Sequence, residues 1–162
     1  MKRVVIFGNS GSGKSTLAKE YVKKYNLSHL DLDILAWNAT SPPTRRPLNE
    51  STFEINEFIN KNKMWVIEGG YSDLLNFVIK KSNKLIFLNP GTEICISNCR
   101  NRPWEPHKYK SEEEQNNNLE MLLNWVTEYS MRDDEFSLIS HLALFDGYNG
   151  SKTEYKSNDR NA

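Results

Sequence analysis

Short apolar runs alternate along this chain with longer stretches that are apolar on one side only. The short runs predict buried strands at Val4–Phe7, Leu30–Leu32, Trp65–Ile67 and Leu85–Leu88, with a weak edge strand at Thr153–Lys156. The longer stretches predict helices at Ser15–Tyr25, Ser51–Asn60, Ser72–Lys81, Thr92–Arg100, Ser111–Tyr129 and Phe136–Phe145. Strands that alternate with helices are typical of a parallel sheet covered by helices, so we expect an α/β fold.

The boundaries of these elements follow from turn and capping residues. Proline-rich Trp37–Pro47 and the segment 103–110 are expected to be irregular. Ser51 with Glu54, and Ser111 with Glu114, are spaced as capping boxes that would open two of the helices. At 162 residues the chain fits one domain, which we expect to span 1–156, followed by a mobile polar tail at 157–162.

Composition narrows the range of partners. The 21 basic residues balance 21 acidic ones, so no overall field draws in nucleic acid or a membrane, and we expect neither as a partner. Cys95 and Cys99 share a helix face and are expected to point into the core in a reducing compartment. The apolar run after Met1 is too short for a signal peptide or a membrane helix, so the expected location is the cytoplasm. Composition leaves the oligomeric state open between monomer and homodimer.

The segment from Gly8 to Ser15 has the pattern G-x-x-x-x-G-K-S between a predicted strand and a predicted helix. Glycines let the backbone curve so that its N–H groups point at phosphate oxygens, and the helix N-terminus favours negative charge. Lys14 can follow a γ-phosphate, and the Ser15 hydroxyl can ligand Mg²⁺. We therefore predict that ATP and Mg²⁺ bind here. The predicted nucleotide-binding residues are Gly8, Asn9, Ser10, Gly11, Ser12, Gly13, Lys14, Ser15 and Thr16.

Two carboxylates follow the second predicted strand. Asp31 and Asp33 are two residues apart, so alternation along an extended strand would send both side chains to one face. Ligands of open α/β sheets bind at the carboxyl ends of the strands, where Ser15 is also expected. Either acid could then hold a Mg²⁺-bound water while the other takes a proton from an attacking hydroxyl. Capping of the next segment is the simpler alternative.

The phosphate loop, the pair Asp31-x-Asp33 and the order of strands and helices resemble the shikimate kinase and adenylate kinase-like families of small P-loop kinases. A closer resemblance is to bacterial proteins described as shikimate kinase-like or DNA-topology-modulation ATPases. It rests on the segments His29–Trp37, Trp65–Tyr71 and Arg100–Trp104. The resemblance implies a three-layer α/β/α P-loop NTPase fold with a five-stranded parallel sheet, Asp31 at the metal and Asp33 at the acceptor.

Three arginines are candidates for the transferring phosphoryl group, because the guanidinium fork matches phosphate oxygens. Arg100 and Arg102 end a predicted helix just before a proline-broken segment that we term the lid (residues 103–111). This arrangement resembles the helix-to-lid junction of adenylate kinases. Arg132 resembles the arginine that follows the lid in those enzymes, while His141 lies near the place of their next arginine and is expected to be an exposed helix residue. Helix C-terminal charge is the alternative explanation for Arg100 and Arg102.

Candidate residues for binding the acceptor come from the family resemblance, and missing family segments exclude two acceptors. Arg45 and Arg46 lie in the connection where these families bind the acceptor, and the segment Glu68-Gly69-Gly70-Tyr71 resembles the glycine-rich acceptor segment of shikimate kinases. Trp37 and Trp104 could wall a pocket for a ring. The arginine-bearing segment of shikimate kinases and the Gly-Phe-Pro-Arg of adenylate kinases are both missing. Neither shikimate nor AMP is therefore supported as acceptor.

The combined pattern favours a kinase that transfers the γ-phosphoryl group of ATP to a small hydroxyl- or phosphate-bearing molecule. A nucleotide-dependent regulatory ATPase acting on a protein or nucleic-acid partner is the alternative. A third alternative is a binding module without catalysis, and the presence of Lys14, Ser15, Asp31 and Asp33 argues against it.

Overall fold

A computed structural model describes residues 1–159 and contains a sheet of five strands. Every pairing is parallel, and the strands lie in the order β2-β3-β1-β4-β5. The predicted five-stranded parallel sheet is confirmed, including the edge strand near the end of the chain. The strands are β1 (Arg3–Gly8), β2 (Ser28–Asp31), β3 (Trp65–Gly69), β4 (Lys84–Leu88) and β5 (Ser151–Tyr155).

Helices cover both faces of this sheet and give the chain three layers. A 3-10 segment at Glu128–Ser130 follows the seventh helix. The helices are α1 (Lys14–Tyr25), α2 (Asp33–Ala36), α3 (Leu48–Lys61), α4 (Ser72–Ile79), α5 (Thr92–Arg100), α6 (Glu112–Asn117), α7 (Leu119–Thr127) and α8 (Leu138–Gly147).

The central strand shows why the sheet is covered on both sides. Along β1, Val4 and Ile6 pack into the cluster that α1 covers, whereas Val5 and Phe7 pack into the cluster formed with α3, α4 and α8. All four side chains are almost completely buried. Because successive residues of a strand point to opposite faces, an unbroken apolar strand needs cover on both sides of the sheet.

The two cysteines lie in a third cluster between α5 and α7. Cys95 and Cys99 are buried there against Leu123 and Val126, and both thiols are free. The predicted inward orientation of the cysteines is confirmed. This cluster joins the helix before the lid to the helix after it.

The third helix begins earlier than the sequence predicts. It starts at Leu48, because Pro47 presets a backbone angle suited to the first turn and has no N–H to leave unpaired. Ser51 therefore lies inside the helix, where its buried hydroxyl donates to the carbonyl of Leu35 at 2.9 Å. Glu54 forms an ion pair with Arg46. The predicted capping box at these positions is wrong.

The predicted long helix at 111–129 is divided in two. Ser111 caps its first part, accepting from the Glu114 amide at 3.1 Å as predicted, but the Glu114 side chain accepts from the Lys110 amide instead of the Ser111 amide. The helix breaks at Asn118, whose side chain donates to the Glu114 carbonyl at 2.8 Å. Asparagine competes with helical hydrogen bonding in this way, which explains the break in an asparagine run.

The last helix begins two residues later than predicted because Ser137 is its N-cap. The Ser137 hydroxyl accepts from the Ser140 amide at 3.2 Å. Within residues 1–159, no helix combines the length and the apolar character that a membrane crossing requires.

Candidate functional site

The phosphate-loop motif connects β1 to α1 at the carboxyl edge of the sheet. Gly11 and Gly13 have backbone φ angles of 78° and 100°, a region that side chains disfavour. A Cβ atom on Gly11 would lie 2.4 Å from the carbonyl oxygen of Cys95, and one on Gly8 would lie 2.3 Å from that of Leu88. The glycines are thus required both by the curve of the loop and by the backbone packed behind it.

Two features of the loop suit it to an anion. The Ser12 hydroxyl is buried and makes no hydrogen bond to the described residues. The Lys14 ammonium donates to the Asn9 carbonyl at 2.7 Å, and Asn9 is itself held by a bond from its side chain to the Val126 carbonyl at 3.2 Å. Burial of its ammonium lowers the pKa of Lys14, and the nearby carboxylates of Glu68 and Asp33 oppose this shift. A phosphate could satisfy both the hydroxyl and the ammonium.

Ser15, Asp31 and Glu68 form a set of oxygen groups beside the loop. The Ser15 hydroxyl donates to Glu68 Oε1 at 3.2 Å, and Glu68 is almost fully buried at the end of β3. Burial, together with the charges of Glu68 and Asp33, raises the pKa of Asp31 to about 7. Hydroxyl and carboxylate oxygens are the ligands that Mg²⁺ prefers, so these residues fit the predicted ion.

The described residues contain no group of three or more His, Cys, Asp or Glu that could hold a metal without other ligands. Mg²⁺ commonly keeps several waters and binds through one or two carboxylates plus substrate phosphates. The set of Ser15, Asp31 and Glu68 matches that mode of binding. Glu68 accepts from the serine of the phosphate loop, and its contact with an acceptor stays a prediction.

Asp33 does not extend the second strand as the alternation predicts. The strand ends at Asp31, whose Oδ1 accepts from the Asp33 amide at 2.9 Å, and Asp33 opens the short helix α2. The Asp33 carboxylate accepts from the hydroxyl of Tyr71 and pairs with the ammonium of Lys108 at 2.8 Å. Burial would raise the pKa of Asp33, but the ion pair with Lys108 and the two hydrogen bonds hold it below its ordinary value. Asp33 is thus kept as a carboxylate.

Lys108 belongs to the lid and was not singled out from the sequence. Its ammonium contacts Asp33, and it also pairs with Glu105 at 3.2 Å. Burial works against its charge, yet the carboxylates of Asp33, Asp31 and Glu105 raise the pKa of Lys108 above its ordinary value. The signal available in the sequence was a cation inside the lid, which is weak by itself.

The two arginines that precede the lid lie in different surroundings. Arg102 pairs with Glu105 at 3.1 Å, and its charge acts on Lys14, so it belongs to the cluster at the phosphate loop. Arg100 is half exposed, and its nearest carboxylate is that of Glu120 at 4.0 Å. Of the two, only Arg102 is brought to the loop in this conformation.

Arg132 stacks on Trp125, with its guanidinium carbon 3.7 Å from the ring centroid. It pairs with Asp134 at 3.2 Å and donates to the Trp125 carbonyl. Its Nη2 is buried and has no hydrogen-bond partner among residues 1–159. The Arg132 guanidinium is therefore one hydrogen-bond partner short in this conformation.

Arg45 and Arg46 are occupied by other parts of the chain. Arg45 pairs with both oxygens of Asp73 at 3.1 Å and with Glu135 at 3.0 Å, while its Nε donates to the Ala36 carbonyl. Arg46 contacts Glu54 at 2.6 Å and the Leu35 carbonyl at 3.2 Å. Their prediction as acceptor ligands stays a prediction.

Aromatic side chains surround Tyr71 on the acceptor side. Its hydroxyl accepts from the Trp37 indole at 2.8 Å, and the Trp37 ring lies parallel to that of Phe136 at a centroid distance of 6.4 Å. Tyr71 meets the edge of Phe136 at 5.1 Å. Trp37 thus lies next to Asp33, whereas Trp104 is in the lid and donates to the Tyr109 carbonyl.

The prediction that His141 is an exposed helix residue is wrong. Its ring is completely buried: Tyr129 donates to Nδ1 at 2.6 Å, and Nε2 donates to the Gly70 carbonyl at 2.8 Å. Because that carbonyl can only accept, Nε2 carries the proton. Burial lowers the pKa of His141 to about 4. The ring anchors the chain just after β3, next to the phosphate loop.

The glycines that follow Glu68 are explained by packing. A Cβ atom on Gly69 would lie 2.9 Å from the Leu32 side chain, and one on Gly70 would lie 3.2 Å from the Gly8 carbonyl. Protein atoms therefore lie close to both glycines. Contact of these glycines with an acceptor stays a prediction.

One residue of the predicted tail contacts the phosphate loop, and the mobility of the tail stays a prediction. Asn158 donates to the Ser12 carbonyl at 3.0 Å and accepts from Asn98 at 2.9 Å. Asn98 also donates to the Gly11 carbonyl at 2.7 Å. Residues 160–162 of the predicted tail lie outside the described residues.

No family profile matches the sequence, and no curated protein is detectably similar to it. Among solved structures, the chain is similar to a gluconokinase from Sinorhizobium meliloti at 12% identity and a TM-score of 0.56, over 94% of this chain and 82% of that one. It also matches a deoxyadenosine kinase from M. mycoides with bound dATP at 15% identity and a TM-score of 0.49, over 97% and 91% of the two chains. A shikimate kinase from Bacteroides thetaiotaomicron matches at 19% identity and a TM-score of 0.45, over 78% and 79%.

The gluconokinase match covers nearly the whole chain, and at this identity it establishes a similarity of fold. The parallel sheet, the covering helices and the position of the glycine loop after β1 agree with the predicted fold class. The chain therefore shares the α/β fold of this gluconokinase.

Proposed function

We propose that this protein is an ATP- and Mg²⁺-dependent phosphotransferase that moves the γ-phosphoryl group of ATP onto a hydroxyl of a small molecule. The observation that carries the proposal is the convergence of donor and acceptor groups. Lys14 of the phosphate loop lies in the field of Asp33, Arg102 and Lys108, and Asp33 itself contacts Lys108. Phosphoryl transfer needs this combination of positive charge and a carboxylate that orients the attacking hydroxyl.

The donor side consists of the loop Gly8–Thr16. In the proposal its backbone N–H groups and the Ser12 hydroxyl bind phosphate oxygens, and Lys14 exchanges the Asn9 carbonyl for a phosphate. Ser15, Asp31 and Glu68 would hold Mg²⁺, directly or through water. When bound, the ion neutralises charge on the phosphates. Asp31 must be ionised to bind Mg²⁺, whereas without the ion its pKa is raised to about 7.

The acceptor side consists of Asp33 and the residues around it. Asp33 accepts a hydrogen bond from the attacking hydroxyl, which aligns its oxygen for in-line attack. Because its pKa is lowered, Asp33 is a weak base and is better suited to orienting the hydroxyl than to removing its proton. A loose transition state needs little base catalysis. Arg102, just before the lid, and Lys108, within it, supply positive charge, and Arg132 would contribute its buried, unpaired Nη2 only after a local rearrangement. Arg100 would join this group only if the lid moved.

We further propose that residues 1–156 act as one domain with the lid at 103–111. A cytoplasmic location is supported by the two free cysteines, since the cytoplasm keeps thiols reduced. We propose equally that the protein is a monomer or a homodimer.

The test is turnover of ATP against a panel of hydroxyl-bearing acceptors, with ADP and phosphorylated product measured separately. We expect product only with a suitable acceptor, and a loss of about a hundredfold or more in kcat/KM for Lys14→Ala. Lys19→Ala is the matched control, because Lys19 is exposed on the same helix. ATP hydrolysis that is stimulated by DNA or a protein and yields no phosphorylated small molecule would contradict the proposal and favour a regulatory ATPase.

A further inference from the structure

We infer that the acceptor is an electrically neutral, ring-bearing polyol, such as a nucleoside or an uncharged sugar, and that acceptors with a carboxylate or phosphate are discriminated against. This inference rests on the proposed kinase function and goes beyond it by naming the acceptor class. It depends on how the charges around Asp33 and Tyr71 are paired.

The first argument is the occupation of Arg45. This arginine lies over the Tyr71 ring, 4.7 Å from its centroid, and Tyr71 bonds to Asp33. Of the two arginines predicted to bind the acceptor, it is the one packed against the partner of Asp33, while Lys108, which contacts Asp33 itself, is already paired with that carboxylate and with Glu105. Yet Arg45 already pairs with both Asp73 and Glu135, each at about 3 Å, and its Nε donates to the Ala36 carbonyl. Arg45, Asp73 and Glu135 together carry a net charge of −1, so the surface that these three residues form is negative.

The second argument concerns Arg46, the other arginine of the same connection. Its Nη1 pairs with Glu54 and donates to the Leu35 carbonyl. Its Nε lies 4.0 Å from the Glu50 carboxylate. Arg45 has Nε, Nη1 and Nη2 all engaged inside the chain, whereas Arg46 is held through Nη1, and its net charge is offset by Glu54 and Glu50. An anionic acceptor would also have to compete with the Asp33 carboxylate for Lys108, the cation in contact with it, and like charges brought together in this way disfavour a ligand.

The third argument is what the surface does offer. The Asp33 carboxylate can accept hydrogen bonds from hydroxyl groups, and the Trp37 indole beside it is 39% exposed. The indole is held in place by its bond to Tyr71 and by the parallel ring of Phe136. A rigid aromatic face next to a carboxylate suits a flat or ring-shaped molecule that carries hydroxyls. The two features together specify a neutral hydroxylated ring.

The test compares acceptor pairs that differ by one anionic group, in the wild-type protein with ATP and Mg²⁺. A nucleoside is set against its 3′- and its 5′-monophosphate, and the neutral amide of a uronic acid is set against the uronic acid itself, because the last pair keeps the ring and every hydroxyl and changes the charge. We expect kcat/KM for the neutral member of the productive pair to exceed that of the anionic member by about tenfold or more. The pair that reacts identifies the source of the ring. A preference for the anionic member would overturn the inference while leaving the kinase proposal intact.

A charge variant tests the cause of the preference. Glu135→Gln removes one partner of Arg45, so the ratio of kcat/KM for the anionic over the neutral acceptor should rise by about tenfold. Glu57→Gln, a loss of one negative charge at an exposed position of α3, is the matched control and should leave the ratio unchanged. An unchanged ratio in Glu135→Gln with an unchanged melting temperature would overturn the assigned role of Arg45. If no acceptor of either kind yields ADP, the kinase proposal itself fails, and the inference fails with it.

Discussion

The ammonium of Lys108 lies 2.8 Å from Oδ2 of Asp33 and links the lid to the carboxylate at the start of α2. The two residues are far apart in sequence, and each also has a second partner: Tyr71 for Asp33 and Glu105 for Lys108. The pair keeps Asp33 ionised and places a positive charge between the acceptor side and the phosphate loop. Its removal is therefore expected to change both the lid and the chemistry.

Lys108→Met should raise the pKa of Asp33, because the positive charge that favours its ionised form is lost. The acid limb of the pH profile of kcat/KM should move to higher pH, and activity at neutral pH should fall by about tenfold or more. Lys110→Met is the control, since Lys110 is exposed in the same lid. An acid limb at the same pH in both variants would argue against the role of the pair.

Gly11→Ala should damage the phosphate loop. The new methyl group would lie 2.4 Å from the Cys95 carbonyl in a backbone conformation with a φ of 78°. We expect a loss of about 1–3 kcal/mol in the free energy of unfolding, together with weaker binding of an ATP analogue. Gly147→Ala is the matched change, because nothing lies within 4 Å of its added Cβ. Equal stability of the two variants, measured by urea denaturation, would contradict this account of the loop.

Asp31→Asn should raise the Mg²⁺ concentration needed for half-maximal activity. We expect an increase of about tenfold to a hundredfold, because the site loses a carboxylate that binds the ion directly or through its waters. A titration of activity with Mg²⁺ at fixed ATP measures it. Asp133→Asn, at an exposed position, serves as control. If both variants require the same Mg²⁺ concentration, Asp31 does not belong to the metal site.

His141 should make the fold sensitive to acid. The pKa of His141 is lowered to about 4, so the unfolded chain takes up a proton below about pH 6.5 while the folded chain does not. The free energy of unfolding should therefore fall between pH 6.5 and pH 4, by a total on the order of 3 kcal/mol from this group. His141→Gln removes the titration and should flatten this part of the curve relative to wild type.

Chemical denaturation at a series of pH values measures this difference. His107→Gln is the control, since the His107 side chain is 52% exposed. A wild-type curve parallel to that of His141→Gln below pH 6.5 would show that the buried ring does not contribute.

The fold was largely predictable because each local pattern has one physical solution. The apolar residues of β1 need cover on both faces, and the loop after it contains glycines that no other residue could replace without clashes. The position of Asp33 after the second strand was predicted as well. Its backbone was not, because the residue begins a helix where alternation assumes continued extension.

The remaining parts of the site depend on contacts between distant segments. Lys108 meets Asp33 only because the lid folds back over the sheet edge, which no local pattern encodes. His141 is a single polar residue on a mostly apolar helix, and its burial depends on two partners from other elements, Tyr129 and Gly70. The pairing of Arg45 with Asp73 and Glu135 likewise joins three separate parts of the chain. Such pairs become visible only once the tertiary structure is known.

The close packing of Gly11 against α5 constrains how the sequence can diverge. A Cβ atom at position 11 would come within 2.7 Å of the Cys99 sulfur as well as the Cys95 backbone, so the helix leaves the loop no spare volume. Among descendants of this sequence, position 99 should therefore accept only small side chains as long as the loop keeps its shape. The shape of the phosphate loop thus limits which substitutions are tolerated at position 99, although Cys99 itself has no chemical role.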